Sequence, residues 1–175
     1  NALGITGSPF DSFLTLRGLR TLDARLRVHQ ENTAGIVALL DAHPIVAKVH
    51  HPGLASHPGH AVAARQQSGF GAMLSFELSG PDPRAAVRAF VEGLQYFTLA
   101  ESLGGVESLV AHPATMTHAA MSAQAREAAG ISEGLLRLSV GIEALDRLLA
   151  DLQAALARAA TVAGQTSAIR AGADA

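Results

Sequence analysis

Apolar residues recur at near-helical spacing from Phe10 through Phe13, Leu14, Leu16, Leu19 and Leu22, resume at Leu26, Ile36, Val37 and Leu40, and stop at Pro44. That period predicts one long helix, or a broken pair, over about residues 9–42, with Gly18 as a candidate break. Pro9 suits the first helical turn, where its missing N–H costs nothing, and Ser8 suits the cap before it. Residues 45–49 are short and β-branched and predict a strand. Pro52, Gly53, Pro58 and Gly59 make 50–60 a loop, and 61–67 a short helix follows. Over 72–78 the chain alternates Met73, Ser75 and Glu77 with Leu74, Phe76 and Leu78, as a half-buried strand does. Pro83 opens a helix to about Gly93 with Val87, Phe90, Val91 and Leu94 on one face. Short strands are predicted at 97–99 and 108–110, a helix at 119–128, a strand at 135–140 and an amphipathic helix at 143–160. Strands alternating with helices predict an α/β fold with a sheet face buried under helices.

Composition supports one folded unit. Of 175 residues, 49% are apolar and 16% charged, enough apolar surface for a real core. The formal net charge of -2, with no basic cluster, argues against nucleic acid or an anionic membrane as partner. Cysteine is absent, so there is neither a disulfide framework nor a thiol nucleophile. No apolar run reaches the roughly 18 residues of a membrane span, and the start has no signal-peptide pattern, so a cytoplasmic location is expected. The chain begins at Asn1 and reads as structured almost at once, as if a preceding part were absent. Residues 161–175 are small and polar and read as a flexible tail.

Four features could carry chemistry. His50, His51, His57 and His60 fall within eleven residues; imidazole is the commonest zinc ligand, yet the loop contains no Asp, Glu or Cys, and its histidines could equally cap turns and face water. The stretch Ala100-Glu-Ser-Leu-Gly-Gly-Val-Glu-Ser108 has paired glycines whose amides, with Ser102, could bind a carboxylate, or it is only a tight loop between strands. Arg137 lies within the apolar run 135–140; alternation favours a side chain facing water, whereas a planar guanidinium fork also suits an anion clamp. Lys48 is the only lysine, beside twelve arginines. It sits at the end of a short strand and reads as a surface residue, not as the pocketed amine that Schiff-base chemistry needs.

Taken together, four stretches resemble the Cys/Met transsulfuration family of pyridoxal-phosphate (PLP) enzymes in order and spacing. They are Ser8-Pro-Phe-Asp-Ser-Phe-Leu-Thr-Leu-Arg-Gly-Leu-Arg-Thr-Leu22, Gln67-Ser-Gly-Phe-Gly-Ala-Met-Leu-Ser-Phe76, Thr98 to Leu109 with His112-Pro-Ala-Thr-Met-Thr-His118, and Gly130-Ile-Ser with Leu136-Arg-Leu-Ser-Val-Gly-Ile-Glu143. The resemblance covers about residues 1–157.

It implies the C-terminal domain of a fold-type I PLP-dependent transferase: a small, mainly antiparallel sheet covered by helices on one side, preceded by a long linking helix. On that reading 1–42 end the large PLP domain and form the linking helix, 43–160 are the C-terminal domain and 161–175 the tail. The resemblance makes Arg137 the clamp for the substrate α-carboxylate, overturning the solvent reading. It places Ser102 beside that carboxylate, Thr117 near cofactor and substrate, and Glu101 by an amino group on the distal arm. Leu103 stands where β-lyases usually carry an aromatic. The implied reaction is γ-replacement of an O-activated homoserine by cysteine, a cystathionine γ-synthase activity, with PLP as electron sink. Cystathionine or methionine γ-lyase activity is the alternative within the family, and a non-catalytic fragment or His-rich metal-binding module the alternative outside it. No catalytic residue and no metal site is expected in this chain. The Schiff-base lysine and the other cofactor anchors would lie in an N-terminal PLP-binding portion, so the chain alone would be inactive. The remaining implied partners are small amino-acid substrates and further copies in a homotetramer.

Overall fold

The computed structural model describes Gly4 and residues 6–173, with side chains to residue 164. Helix α1 (Pro9–Leu19) starts as the sequence predicts: Pro9 is its first residue, and the Ser8 hydroxyl accepts from the amides of Phe10 and Asp11. Helix α2 (Leu22–Asp41) follows after a break at Arg20–Thr21, two residues beyond Gly18. The Gly18 carbonyl, freed by that break, accepts from Arg25 Nη2 at 2.8 Å.

The rest of the chain is β1 (Val46–His50), α3 (His60–Gln66), β2 (Met73–Leu78), α4 (Pro83–Val91), β3 (Thr98–Leu99), β4 (Leu109–Ala111), α5 (Ala123–Ala128), β5 (Leu135–Ser139) and α6 (Leu145–Ala173). The strands form one sheet in the order β1-β2-β5-β4-β3. Every neighbouring pair is antiparallel except β3 with β4, so the expected mainly antiparallel sheet is present.

The two faces of the sheet differ. Leu74, Phe76 and Leu78 of β2 are buried, as are Leu136 and Leu138 of β5 and Val110 of β4. They join Ile36, Val37 and Leu40 of α2, Val87 and Phe90 of α4, and Leu148, Leu152 and Leu156 of α6 in one core. Phe76 meets the Phe90 ring edge-on at 5.4 Å between centroids. The opposite face carries Ser75, Arg137 and Ala111 in one row, paired across β2, β5 and β4. Helices α2, α4 and α6 thus cover one side, and Arg137 stands on the other.

Two expected elements are corrected. The helix expected at 119–128 begins only at Ala123, because the Ser122 hydroxyl caps it through the Ala125 amide and the chain before it is turned back on itself. The expected tail at 161–175 does not begin at 161: α6 continues as helix to Ala173, and residues 174–175 lie outside the described residues, as do 1–3 and 5. Residues 161–163 offer no breaker, the Thr161 hydroxyl satisfies the Ala157 carbonyl, and Ala163 packs on the core.

Candidate functional site

Arg137 is in the middle of β5, between β2 and β4, with Ser75 and Ala111 as its cross-strand neighbours. On an open sheet face it would be solvated, as alternation predicts. The segment 100–107 changes that by folding over the face. Arg137 Nη2 donates to the carbonyl of Glu101 at 2.7 Å and to that of Ser102 at 3.2 Å. Its Nε is buried and has no hydrogen-bond partner among the described residues. A buried N–H of a charged group left unpaired costs about 1–3 kcal/mol or more, so Nε is an unsatisfied donor beside these two contacts.

The covering segment is fixed at several points. Gly104 adopts φ +79°, where a side chain is strained, and its amide donates to Ser139 Oγ at 2.9 Å. At the far end the Ser108 amide and hydroxyl donate to the two carboxylate oxygens of Glu143 at 2.7 and 2.8 Å. Ser108 Oγ in turn accepts from the Gly141 amide at 2.8 Å. Asn32 of α2 donates to the carbonyls of Gly141 and Glu143 at 3.0 and 2.8 Å, and His29 Nδ1 lies 2.6 Å from the Val140 carbonyl, to which it donates. A Cβ at Gly141 would collide with the Val106 carbonyl and the Glu143 carboxylate, which is why glycine stands there.

Of the four residues predicted from sequence, Glu101 and Ser102 are brought to Arg137 through their main-chain carbonyls, and both side chains are exposed. Thr117 is on the turn that leaves β4 immediately beyond Ala111, the cross-strand partner of Arg137. It is exposed, and its hydroxyl lies 2.8 Å from His118 Nδ1. No hydrogen bond joins Thr117 to the other three among the described residues. That turn is held by His112, whose Nε2 donates to the Glu133 carbonyl at 3.1 Å while Nδ1 accepts from the Thr115 hydroxyl at 2.8 Å. Burial pushes the His112 pKa below its ordinary value, which keeps this arrangement neutral.

Ser139, Ser108, Glu143, Asn32 and His29 were missed by the sequence reading as site residues. The available signal was polar residues (His29, Asn32, Thr33) where α2 should be apolar, all now buried.

The histidine loop has other employment. His50 Nε2 pairs with Glu77 Oε1 at 2.9 Å, and Ser132 donates to Glu77 Oε2 at 2.9 Å. His51 and His57 accept the amides of Gly53 and Gly59, and His60 stacks on Phe70 while bonded to the Pro52 carbonyl. No three His, Asp or Glu side chains are grouped as a metal ion requires among the described residues. A groove of about 600 Å³ lies between α2 and the 68–71 turn and contains none of the four predicted residues. Lys48, the one lysine, is exposed on the edge strand β1 opposite Glu77. An exposed lysine on a strand edge does not fit a Schiff-base anchor for PLP.

A profile of the family described as Cys/Met metabolism PLP-dependent enzyme matches residues 1–157. The chain is 58% identical over 153 residues to the cystathionine gamma-synthase of Escherichia coli K12, covering 87% of this chain and 39% of that protein. It is 51% identical over 156 residues to the cystathionine beta-lyase of Lactococcus lactis subsp. cremoris, covering 89% and 40%. The crystal structure of cystathionine gamma synthase from Xanthomonas oryzae pv. oryzae in complex with cystathionine superposes with a TM-score of 0.84 at 74% identity, covering 91% of this chain and 41% of that one. The cystathionine gamma-lyase of Lactobacillus plantarum complexed with L-serine gives 0.81 at 46% identity, covering 90% and 40%. This chain spans about two fifths of the length of these relatives. With nine tenths of its residues accounted for by that profile, the chain belongs to the Cys/Met metabolism PLP-dependent enzyme family.

Proposed function

We propose that the chain is the C-terminal portion of a PLP-dependent cystathionine γ-synthase and supplies the wall that binds the amino-acid substrate's α-carboxylate. The observation that carries this is the state of Arg137: one terminal nitrogen is tied to the carbonyls of Glu101 and Ser102, and the buried Nε has no partner. A guanidinium whose plane is fixed at Nη2 is held at one angle, and its planar fork matches a carboxylate. The Ser102 hydroxyl would assist at the carboxylate, Thr117 would stand near cofactor and substrate, and Glu101 would attract an amino group on the substrate's distal arm. PLP would be held by the portion of the protein outside this chain, in a cytoplasmic homotetramer. Orientation is this wall's contribution: with one end of the substrate fixed, the reacting Cα–H is presented in one direction.

The test is steady-state kinetics of Arg137→Lys and Arg137→Ala in the full-length protein. Loss of a charge-assisted bidentate pair costs about 2–5 kcal/mol, or roughly thirty- to several-thousandfold in kcat/KM. Lysine should not rescue, because an ammonium cannot reproduce the fork. Parental kcat/KM in both variants would sink the proposal.

A second reading within the family is a cystathionine-cleaving lyase, supported by the 51% and 46% identities to lyases. The synthase reading predicts turnover of an O-acylhomoserine with cysteine that greatly exceeds cleavage of cystathionine; the reverse ratio favours the lyase.

A further inference from the structure

We propose that Glu143 is a positioning residue that sets substrate affinity at the Arg137 wall, an inference that rests on the carboxylate-site reading above. Glu143 lies after β5 and before α6, on the segment that also carries Gly141. Its two carboxylate oxygens take the amide and the hydroxyl of Ser108, the residue that ends the segment folded over Arg137. Ser108 is fully buried and passes the contact on, because its hydroxyl oxygen accepts the Gly141 amide. Asn32 closes the set from α2 by donating to the carbonyls on either side of Ile142. Three separate parts of the chain are thereby locked into one network, with the two Ser108 groups on the carboxylate.

The lock bears on Arg137 at both ends of the covering segment. Residues 101 and 102 accept from the guanidinium, Gly104 is pinned to Ser139 two positions along β5, and Ser108 is pinned to Glu143 six positions along. With both ends held, the carbonyls of Glu101 and Ser102 have one placement, and so does the guanidinium that donates to them. A neutral amide at position 143 cannot accept from both Ser108 groups, because its nitrogen is a donor. One of the two contacts at the far end of the segment would be lost or reversed, and the hold on the segment, and on the arginine with it, weakened. The binding geometry would blur while Arg137 itself remained. An effect on placement at the carboxylate, away from the bonds that change, appears in KM more than in kcat.

The experiment compares Glu143→Gln, Arg137→Lys and Leu156→Ala with the parent in the full-length enzyme. Leu156 is a fully buried core residue of α6 outside the lock, and its truncation controls for general loss of stability. The expected result is a KM for the amino-acid substrate raised about tenfold by Glu143→Gln with kcat within about threefold of the parent, and no such split in Leu156→Ala. Hydrogen exchange read on the same proteins should show faster exchange at Gly104, Ser108 and Gly141 in Glu143→Gln only. If Arg137→Lys is impaired while Glu143→Gln keeps the parental KM and exchange, this proposal is overturned and the carboxylate reading stands. If Arg137→Lys is silent, the carboxylate reading fails and takes this one with it. Should Glu143→Gln not fold, Ser139→Ala, which removes only the acceptor of the Gly104 amide, carries the same expectation on KM and on Gly104 exchange, and a parental result there overturns the proposal.

Discussion

Replacing Asp151 by alanine should release residues 95–97, which lead into β3, from α6. Asp151 is nearly buried on α6, and its carboxylate accepts three consecutive amides: Gln95 at 2.9 and 3.1 Å, Tyr96 at 2.8 Å and Phe97 at 3.3 Å. These residues lead directly into β3 and the loop over Arg137. The three donors are not equal. Gln95 and Tyr96 are exposed, so water can replace the carboxylate there and each loss costs about 0.5–1 kcal/mol. Phe97 is 3% exposed, and its orphaned amide costs about 1–3 kcal/mol. The sum is about 2–5 kcal/mol, against which the higher helix propensity of alanine returns roughly 0.5 kcal/mol. The net loss expected is about 1.5–4.5 kcal/mol. Asp151→Asn keeps one acceptor oxygen and should lose about half as much. Equilibrium urea unfolding of the chain and its two variants measures the difference, and the amide of Phe97 should exchange about tenfold faster or more in the alanine variant. An alanine variant within about 0.5 kcal/mol of the parent, or an asparagine variant as weak as the alanine one, would refute the reasoning.

Gly141→Ala should destabilise by about 1–3 kcal/mol or more, because the added methyl meets the Val106 carbonyl and the Glu143 carboxylate and neither can move without opening the lock; thermal melting checks this. Acid should weaken the fold through His51 and His112. Burial holds both pKa values below the ordinary 6.5, so the unfolded chain takes up protons first as the pH falls through that value, and stability drops from there down to the folded pKa values. Melting temperatures at neutral and mildly acidic pH should show it, and His112→Asn should flatten that limb. Lys48→Ala in the full-length protein should leave its PLP content unchanged, measured after denaturation, since Lys48 is exposed on a strand edge.

Local pattern made much of the fold legible. Alternation over 73–78 gave both faces of β2 correctly, and Ser8-Pro9 gave the start of α1. Alternation also put Arg137 on the face away from the helices, which is where β5 carries it. What it could not give was the cover: the period of a strand says nothing about a loop from elsewhere in the chain folding onto its polar face. The resemblance put Ser102 beside the same carboxylate as Arg137 but gave no sign of the main-chain contacts that hold the cover. Strand order was likewise hidden, because pairing β5 between β2 and β4 depends on long-range contacts that no local window contains. The gap in the apolar pattern of α2 at His29, Asn32 and Thr33 was a signal left unread. All three are buried: His29 and Asn32 donate to backbone carbonyls of 140–143, and Thr33 to the His29 carbonyl one turn back.

Lys48 lies exposed on the edge strand β1, where a charge guards the sheet against strand-to-strand growth. A sheet with open edges is a template on which further copies can add strand to strand and grow toward fibres. Here one edge, β3, is only two residues long. The other, β1, is longer, but its pairing with β2 slips between Val46 and Lys48, and the ammonium sits at the slip. A charge and an irregularity at one place make that edge a poor template, since an incoming strand would have to bury the ammonium and match a broken ladder. Replacing Lys48 with a β-branched apolar residue would remove half of that protection and turn a harmless edge into a seed for stacking.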